Sequence, residues 1–136
     1  LICDGVHICP ATLRITFKIL GEDRTVVISD ALMAAGMPDG EYMLGGQKVY
    51  KKSDARLADG TLAGSVTNLF DEFHNLIGYG IPLRQALKSV TINPAKAIGA
   101  DKTTGSIEVG KYADLVVTSK DLKEIKAVFI KGKRVF

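Results

Sequence analysis

Residues 26–40 read VVISDALMAAGMPDG, and they constrain the fold of this chain more than any other stretch. Three β-branched residues, Val26, Val27 and Ile28, run straight into a polar pair, Ser29 and Asp30. Branching at Cβ favours extended backbone, so residues 25–28 are expected to form a strand. A segment with Gly36, Pro38, Asp39 and Gly40 follows, and these are turn residues. A short apolar strand that ends on a lone carboxylate is a common way to build a catalytic site. In α/β barrels the reacting residues sit where strands end and loops begin. The competing role for Asp30 is a helix cap, because Asp is a favoured N-cap and residues 31–35 suit one helical turn.

The flanking pattern sets the topology. Residues 1–3 read as the end of a strand and residues 4–7 as a loop. Pro10 suits the first turn of a helix. That helix runs to about Leu20, with Leu13, Phe17 and Leu20 at helical spacing, and Gly21 stops it. Strand, loop, helix, strand is a βαβ unit, which implies neighbouring parallel strands. Residues 41–56 alternate around Gly45-Gly46 and predict a β-hairpin, and Asp59-Gly60 marks another turn. A helix is expected from Ser65 to about Ile77, with Val66, Leu69, Phe70, Phe73 and Ile77 on one face. Pro82 starts a helix to about Val90, and Pro94 a short one to Ile98, closed by Gly99. The last third changes character. Residues 105–110 form a glycine-bounded turn. Residues 113–118, 124–130 and 134–136 read as short antiparallel strands, with a hairpin turn at 131–133.

At 136 residues the chain is long enough for one domain. It begins at Leu1, inside an apolar run, and so reads as a piece of a longer protein. Its 18 basic and 15 acidic residues are scattered, for a net charge of +3. No basic patch is interleaved with stacking aromatics, which argues against a nucleic-acid partner. No apolar run approaches the ~20 residues that span a bilayer. Cys3 and Cys9 suggest no disulfide framework and read as buried structural thiols, with a cytoplasmic location as the default.

Few side chains carry chemistry. His74, beside Glu72 and Asn75, reads as a solvated surface histidine. His7 follows Asp4-Gly5 and is either a hydrogen-bonded loop histidine or a ligand-binding one at a barrel mouth. Residues 40–48 (GEYMLGGQK) lack the order of a phosphate loop, and no nucleophile elbow occurs. Residues 60–65 (GTLAGS) lead into a helix. Their N–H groups suit an oxygen-rich ligand; equally, Ser65 suits a helix cap. A catalytic zinc commonly takes three protein ligands. One His and one Asp cannot supply them, so no metal ligand is assigned within this chain.

Six blocks resemble the N-acetylglucosamine-6-phosphate deacetylases: residues 1–10 (LICDGVHICP), 28–40 (ISDALMAAGMPDG), 42–49 (YMLGGQKV), 55–65 (ARLADGTLAGS), 91–97 (TINPAKA) and 105–117 (GSIEVGKYADLVV). The last two are typical of the wider amidohydrolase superfamily. The D-G-x-H, S/T-D-A and L-A-G-S blocks, in this order, are more specific. The resemblance covers essentially the whole chain but only the last third of such an enzyme.

That resemblance implies an α/β architecture: the C-terminal part of a metal-dependent (β/α)8 barrel over residues 1–104, and C-terminal strands of a small β-sandwich over residues 105–136. Residues 1–3 would be the seventh barrel strand and residues 25–28 the eighth. It implies that Asp30 is the general base that activates a metal-bound water and then protonates the leaving amine. It implies that His7 and the loop residues Leu62, Ala63 and Gly64 contact a phosphorylated amino sugar. A divalent metal, zinc or iron, would be held by residues outside this chain, and the parent enzyme would be a homodimer. Ser29 stands where many relatives have Thr, and Cys3 where a small apolar residue is usual. The alternatives are another amidohydrolase, such as a dihydroorotase-like or adenine-deaminase-like enzyme, and a non-catalytic structural fragment.

Overall fold

Pro10 opens the first helix, α1 (Pro10–Leu20), at a position where its missing N–H leaves no bond unmade. Leu13 and Phe17, one turn apart, are buried, and the Gly21 amide closes the helix on the Phe17 carbonyl at 3.0 Å. The computed structural model describes residues 1–136, which divide into two units, Leu1–Val90 and Thr91–Phe136.

In the first unit, the segments expected to be parallel strands run side by side over a single residue. The Leu1 nitrogen donates to the Val26 carbonyl at 2.8 Å, and the Ile28 amide donates to the Leu1 carbonyl at 2.9 Å. This is the bonding pattern of a parallel pair centred on buried Val27. The pair does not lengthen into a ladder, because the Cys3 amide, which would make the next bond, donates to the Glu72 carboxyl instead; the Val27 amide, on the other side of its strand, donates to Ser89 at 3.0 Å.

Strands β1 (Gly40–Leu44) and β2 (Gln47–Lys51) form the expected hairpin around Gly45-Gly46, with Tyr42 opposite Val49. Strand β3 (Ala55–Leu57) adds antiparallel to β2, giving the order β1-β2-β3. Val49 and Ala55 pack with Leu32, Ala34 and Ala63 into a small core, flanked by Tyr42, Leu57 and Val66. Burying a Val side chain contributes about 1.5–3 kcal/mol, so fully buried Val49 anchors this sheet against residues 32–34.

Residues 31–35 form no helix: Ala31 lies in a bridge and residues 33–36 make a turn, in which Ala35 donates to Leu32 and Met37 to Ala34. Helix α2 (Leu69–Gly78) starts four residues later than expected. Asn68 caps it, its side chain accepting from the Phe70 and Asp71 amides at 2.9 and 3.0 Å. Ser65 cannot cap, because it pairs with Ala31 in a parallel bridge. Helix α3 (Leu83–Val90) packs on α2.

The second unit opens with α4 (Ile92–Ala97), two residues before the expected start; Pro94 lies within its first turn, where no helical N–H bond is lost. Strands β4 (Leu115–Thr118), β5 (Ile125–Ile130) and β6 (Lys133–Arg134) form an antiparallel sheet in chain order. Pairing continues past β6, since Val135 donates to Val128 at 2.8 Å and Val128 to Phe136 at 3.1 Å. No helix is long and apolar enough to cross a membrane.

Candidate functional site

Asp30 lies at the end of the Val26–Ile28 segment, exposed, with φ of 48°. Left-handed backbone is unfavourable for most L-residues, and Asp and Asn are the usual exceptions to glycine. No helix follows it, so the cap reading has nothing to cap. The backbone around it is tied to the 62–65 loop. The Ser65 amide donates to the Asp30 carbonyl at 2.9 Å, and the Leu32 amide donates to the Ser65 carbonyl at 3.0 Å. The Ser65 hydroxyl donates to the Ser29 carbonyl. Gly64 has φ of +67°, and a Cβ there would stand 3.1 Å from the Asp30 oxygen. The same loop is tied to β3: the Ala63 amide donates to Ala55 at 3.0 Å, and Leu62 bridges to Arg56.

His7 belongs to a separate, well-built turn. Asp4 accepts from the Val6 and His7 amides, both at 2.9 Å, and its other oxygen meets His7 Nδ1 at 2.8 Å. Burial works to raise the Asp4 carboxyl, but the bonds from His7 and Val6 outweigh it and hold the group below the usual range. With Nδ1 engaged by the carboxylate, Nε2 is the ring nitrogen left for a ligand. Gly5 makes the turn possible. Its φ is +80°, and a Cβ would come 2.4 Å from the Tyr79 hydroxyl.

The structure thus joins Asp30 directly to the Gly64–Ser65 peptide. His7 is linked to that cluster through a residue the sequence reading passed over. Glu72, on the first turn of α2, is fully buried. Its carboxyl accepts from the Cys3 amide and is hydrogen-bonded to the Thr67 hydroxyl, which lies 3.1 Å from the Ser65 hydroxyl. Desolvation raises the Glu72 carboxyl above its ordinary range, against the lowering effect of those bonds. The signal was present: Leu69, Glu72, Phe73 and Leu76 share one helix face, so a carboxylate stood at an apolar position.

Two other expectations are corrected. His74 is not a solvated surface residue. It follows Phe70 by four positions, on one helix face, and its ring lies edge-on to Phe70 and Phe73 with centroids 4.6 and 5.7 Å away. Its Nε2 is covered and takes no partner. Of the two cysteines only Cys3 is buried, its thiol pushed up to about 12, mainly by burial with Glu72 adding. Cys9 is exposed because it immediately precedes α1 rather than facing the core. No group of three His, Cys, Asp or Glu side chains is arranged to hold a metal ion, so the donors of this chain do not by themselves fit one.

The model of the amidohydrolase family matches residues 2–135. The chain is 37% identical over 138 residues to the N-acetylglucosamine-6-phosphate deacetylase of Vibrio furnissii, covering 100% of this chain and 34% of that protein. It is 34% identical over 135 residues to a putative N-acetylgalactosamine-6-phosphate deacetylase of Escherichia coli K12, covering 98% of this chain and 80% of that protein. It superposes with a TM-score of 0.91 and 35% identity on the Mycobacterium smegmatis N-acetyl-D-glucosamine-6-phosphate deacetylase solved with N-acetyl-D-glucosamine-6-phosphate, covering 99% of this chain and 36% of that one. The chain therefore spans about a third of the length of the Vibrio relative it matches. Amidohydrolases are generally metal-dependent enzymes. From the match along nearly its whole length, this chain belongs to the amidohydrolase family.

Proposed function

We propose that this chain is the C-terminal part of a deacetylase that releases acetate from N-acetylglucosamine 6-phosphate, with Asp30 as its general base and acid. The observation that carries the reading is the bond from the Ser65 amide to the Asp30 carbonyl, which sets the candidate base against the Leu62, Ala63 and Gly64 loop. A carboxylate there takes a proton from the attacking water and delivers it to the leaving nitrogen. Amide hydrolysis at neutral pH needs water of lowered pKa, the chemistry a bound divalent metal, zinc or iron, supplies. Its ligands lie outside this chain. Leu62, Ala63 and Gly64 line the sugar, and His7, oriented by Asp4, offers Nε2 to the phosphorylated end. Residues 1–104 are the end of a (β/α)8 barrel and residues 105–136 a share of a β-sandwich, in a cytoplasmic homodimer. The exposed apolar side chains of the first unit, Ile15 and Ile19 on α1 and Leu83 and Leu87 on α3, suit cover by the remainder of such a barrel.

The test is an assay of the full-length protein against N-acetylglucosamine 6-phosphate, its galactosamine epimer and dihydroorotate. Acetate release from the first is expected. Hydrolysis of the ring amide alone would replace this reading with a dihydroorotase-like one. The 136-residue chain by itself should neither turn over substrate nor bind a divalent metal stoichiometrically.

A further inference from the structure

Glu72 is a fully buried carboxyl that the proposed chemistry does not use. Beside it stand two hydroxyls, those of Thr67 and Ser65. A hydroxyl has one proton to donate and two lone pairs. The Ser65 hydroxyl spends its proton on the Ser29 carbonyl. It also accepts from the Thr67 amide at 3.3 Å. If Glu72 were ionised, it would be an acceptor only. Thr67 would then have to donate to it, and the two hydroxyl oxygens, 3.1 Å apart, would face each other with no proton between them. If Glu72 carries a proton, every contact is satisfied. Glu72 donates to Thr67, Thr67 to Ser65, and Ser65 to Ser29, while the other Glu72 oxygen accepts from the Cys3 amide.

We propose that Glu72 is a neutral carboxylic acid and a positioning residue: it heads a one-way chain of hydroxyl hydrogen bonds through Thr67 and Ser65 that fixes the Ser29 carbonyl, and with it the Asp30 peptide. The chain also pins residue 3, four positions before His7, to the same anchor, so both halves of the candidate site refer to one buried group. Desolvation, which raises the Glu72 carboxyl, is consistent with the neutral form. The ionisable groups around it are Asp4, His7 and Cys3 on the loop before α1, and Tyr79 at the end of α2. Asp4 discourages a second negative charge, while His7 favours it.

The inference rests on the proposed function for what is positioned, not for the hydrogen-bond chain. Its test uses the full-length protein. Glutamine reproduces the donor and acceptor of a protonated glutamate, so Glu72→Gln should keep kcat and KM at the wild-type values. Thr67→Val and Ser65→Ala break the chain with little change of shape. They should lower kcat, by up to about 10²-fold for a misplacement near 1 Å, with KM little changed. In carboxyl-13C-glutamate-labelled protein, the NMR signal absent from Glu72→Gln should show a protonated carboxyl at neutral pH. An ordinary carboxylate signal overturns the proposal. So does a Glu72→Gln enzyme as impaired as Thr67→Val, or a Glu72→Gln protein that fails to fold while Thr67→Val folds. If the wild-type enzyme does not deacetylate, the proposed reaction falls, and the carboxyl signal still decides the state of Glu72.

Discussion

The Ser65 amide and the Asp30 carbonyl share a 2.9 Å hydrogen bond, and Gly64 leaves just enough room for it. The Asp30 main chain and the 62–65 loop are thereby joined peptide to peptide, and the Ser65 hydroxyl adds a bond to the Ser29 carbonyl.

Replacing Asp30 with Asn in the full-length enzyme should nearly abolish hydrolysis while leaving substrate binding in place. Asn keeps the size but cannot take a proton, and general acid–base catalysis alone is worth about 10²–10⁴-fold. Asn tolerates the left-handed backbone as Asp does, so the thermal midpoint should hardly move. Steady-state turnover and an independent binding titration check both. Near-normal turnover would remove Asp30 from the chemistry.

Gly64→Ala should be damaging although it adds a single methyl group. The residue has φ of +67°, and its new Cβ would press on the Asp30 oxygen at 3.1 Å. Left-handed backbone costs a non-glycine residue roughly 1–2 kcal/mol. A lower unfolding midpoint together with reduced kcat is expected; an unchanged midpoint would show that the loop is not held as described.

Asp4 should write a pH signature on stability. Its carboxyl is depressed in the fold, the bonds from His7 and Val6 outweighing burial. Such a group adds stability that is fully present above its unfolded value, near pH 4, and lost as pH falls through its folded value. Urea unfolding of Asp4→Asn should therefore be less stable than wild type at neutral pH, and the gap should close in acid. In the full-length enzyme the same substitution frees the His7 ring, which should raise KM more than it lowers kcat.

The two thiols should separate cleanly in a labelling experiment. Cys9 is exposed, and the hydrogen bond to Thr12 holds its thiol below the ordinary value. Cys3 is buried with its thiol raised to about 12. Thiolate is the reactive form. One equivalent of thiol reagent should react in the native protein and a second only on denaturation; rapid reaction of both would contradict the burial of Cys3.

Much of the local structure was legible because local rules decided it. Pro10, the stripe of Leu13 and Phe17, and Gly21 delimited α1, and Gly45-Gly46 placed the hairpin. Where the reading failed, a distant partner decided. Ser65 looked like a cap, but its backbone is committed to residues 30–32, and Asn68 caps α2 instead. Residues 31–35 had helix formers, yet the bridge to Ser65 holds Ala31 extended. Glu72 and His74 were read as the polar side of a helix. Their burial depends on Cys3, Thr67 and Phe70, and for Glu72 the decisive partner lies 69 residues away in sequence.

The peptide groups of residues 63 and 65 tie the loop to β3 and to Asp30, so a change of side chain at position 62 leaves those bonds in place. The Leu62 side chain can be exchanged without disturbing the spacing between loop and carboxylate, whereas Ala63 is packed into the small core. Under the proposed function, drift at Leu62 would reshape what is held, while the fixed register would preserve what is done to it.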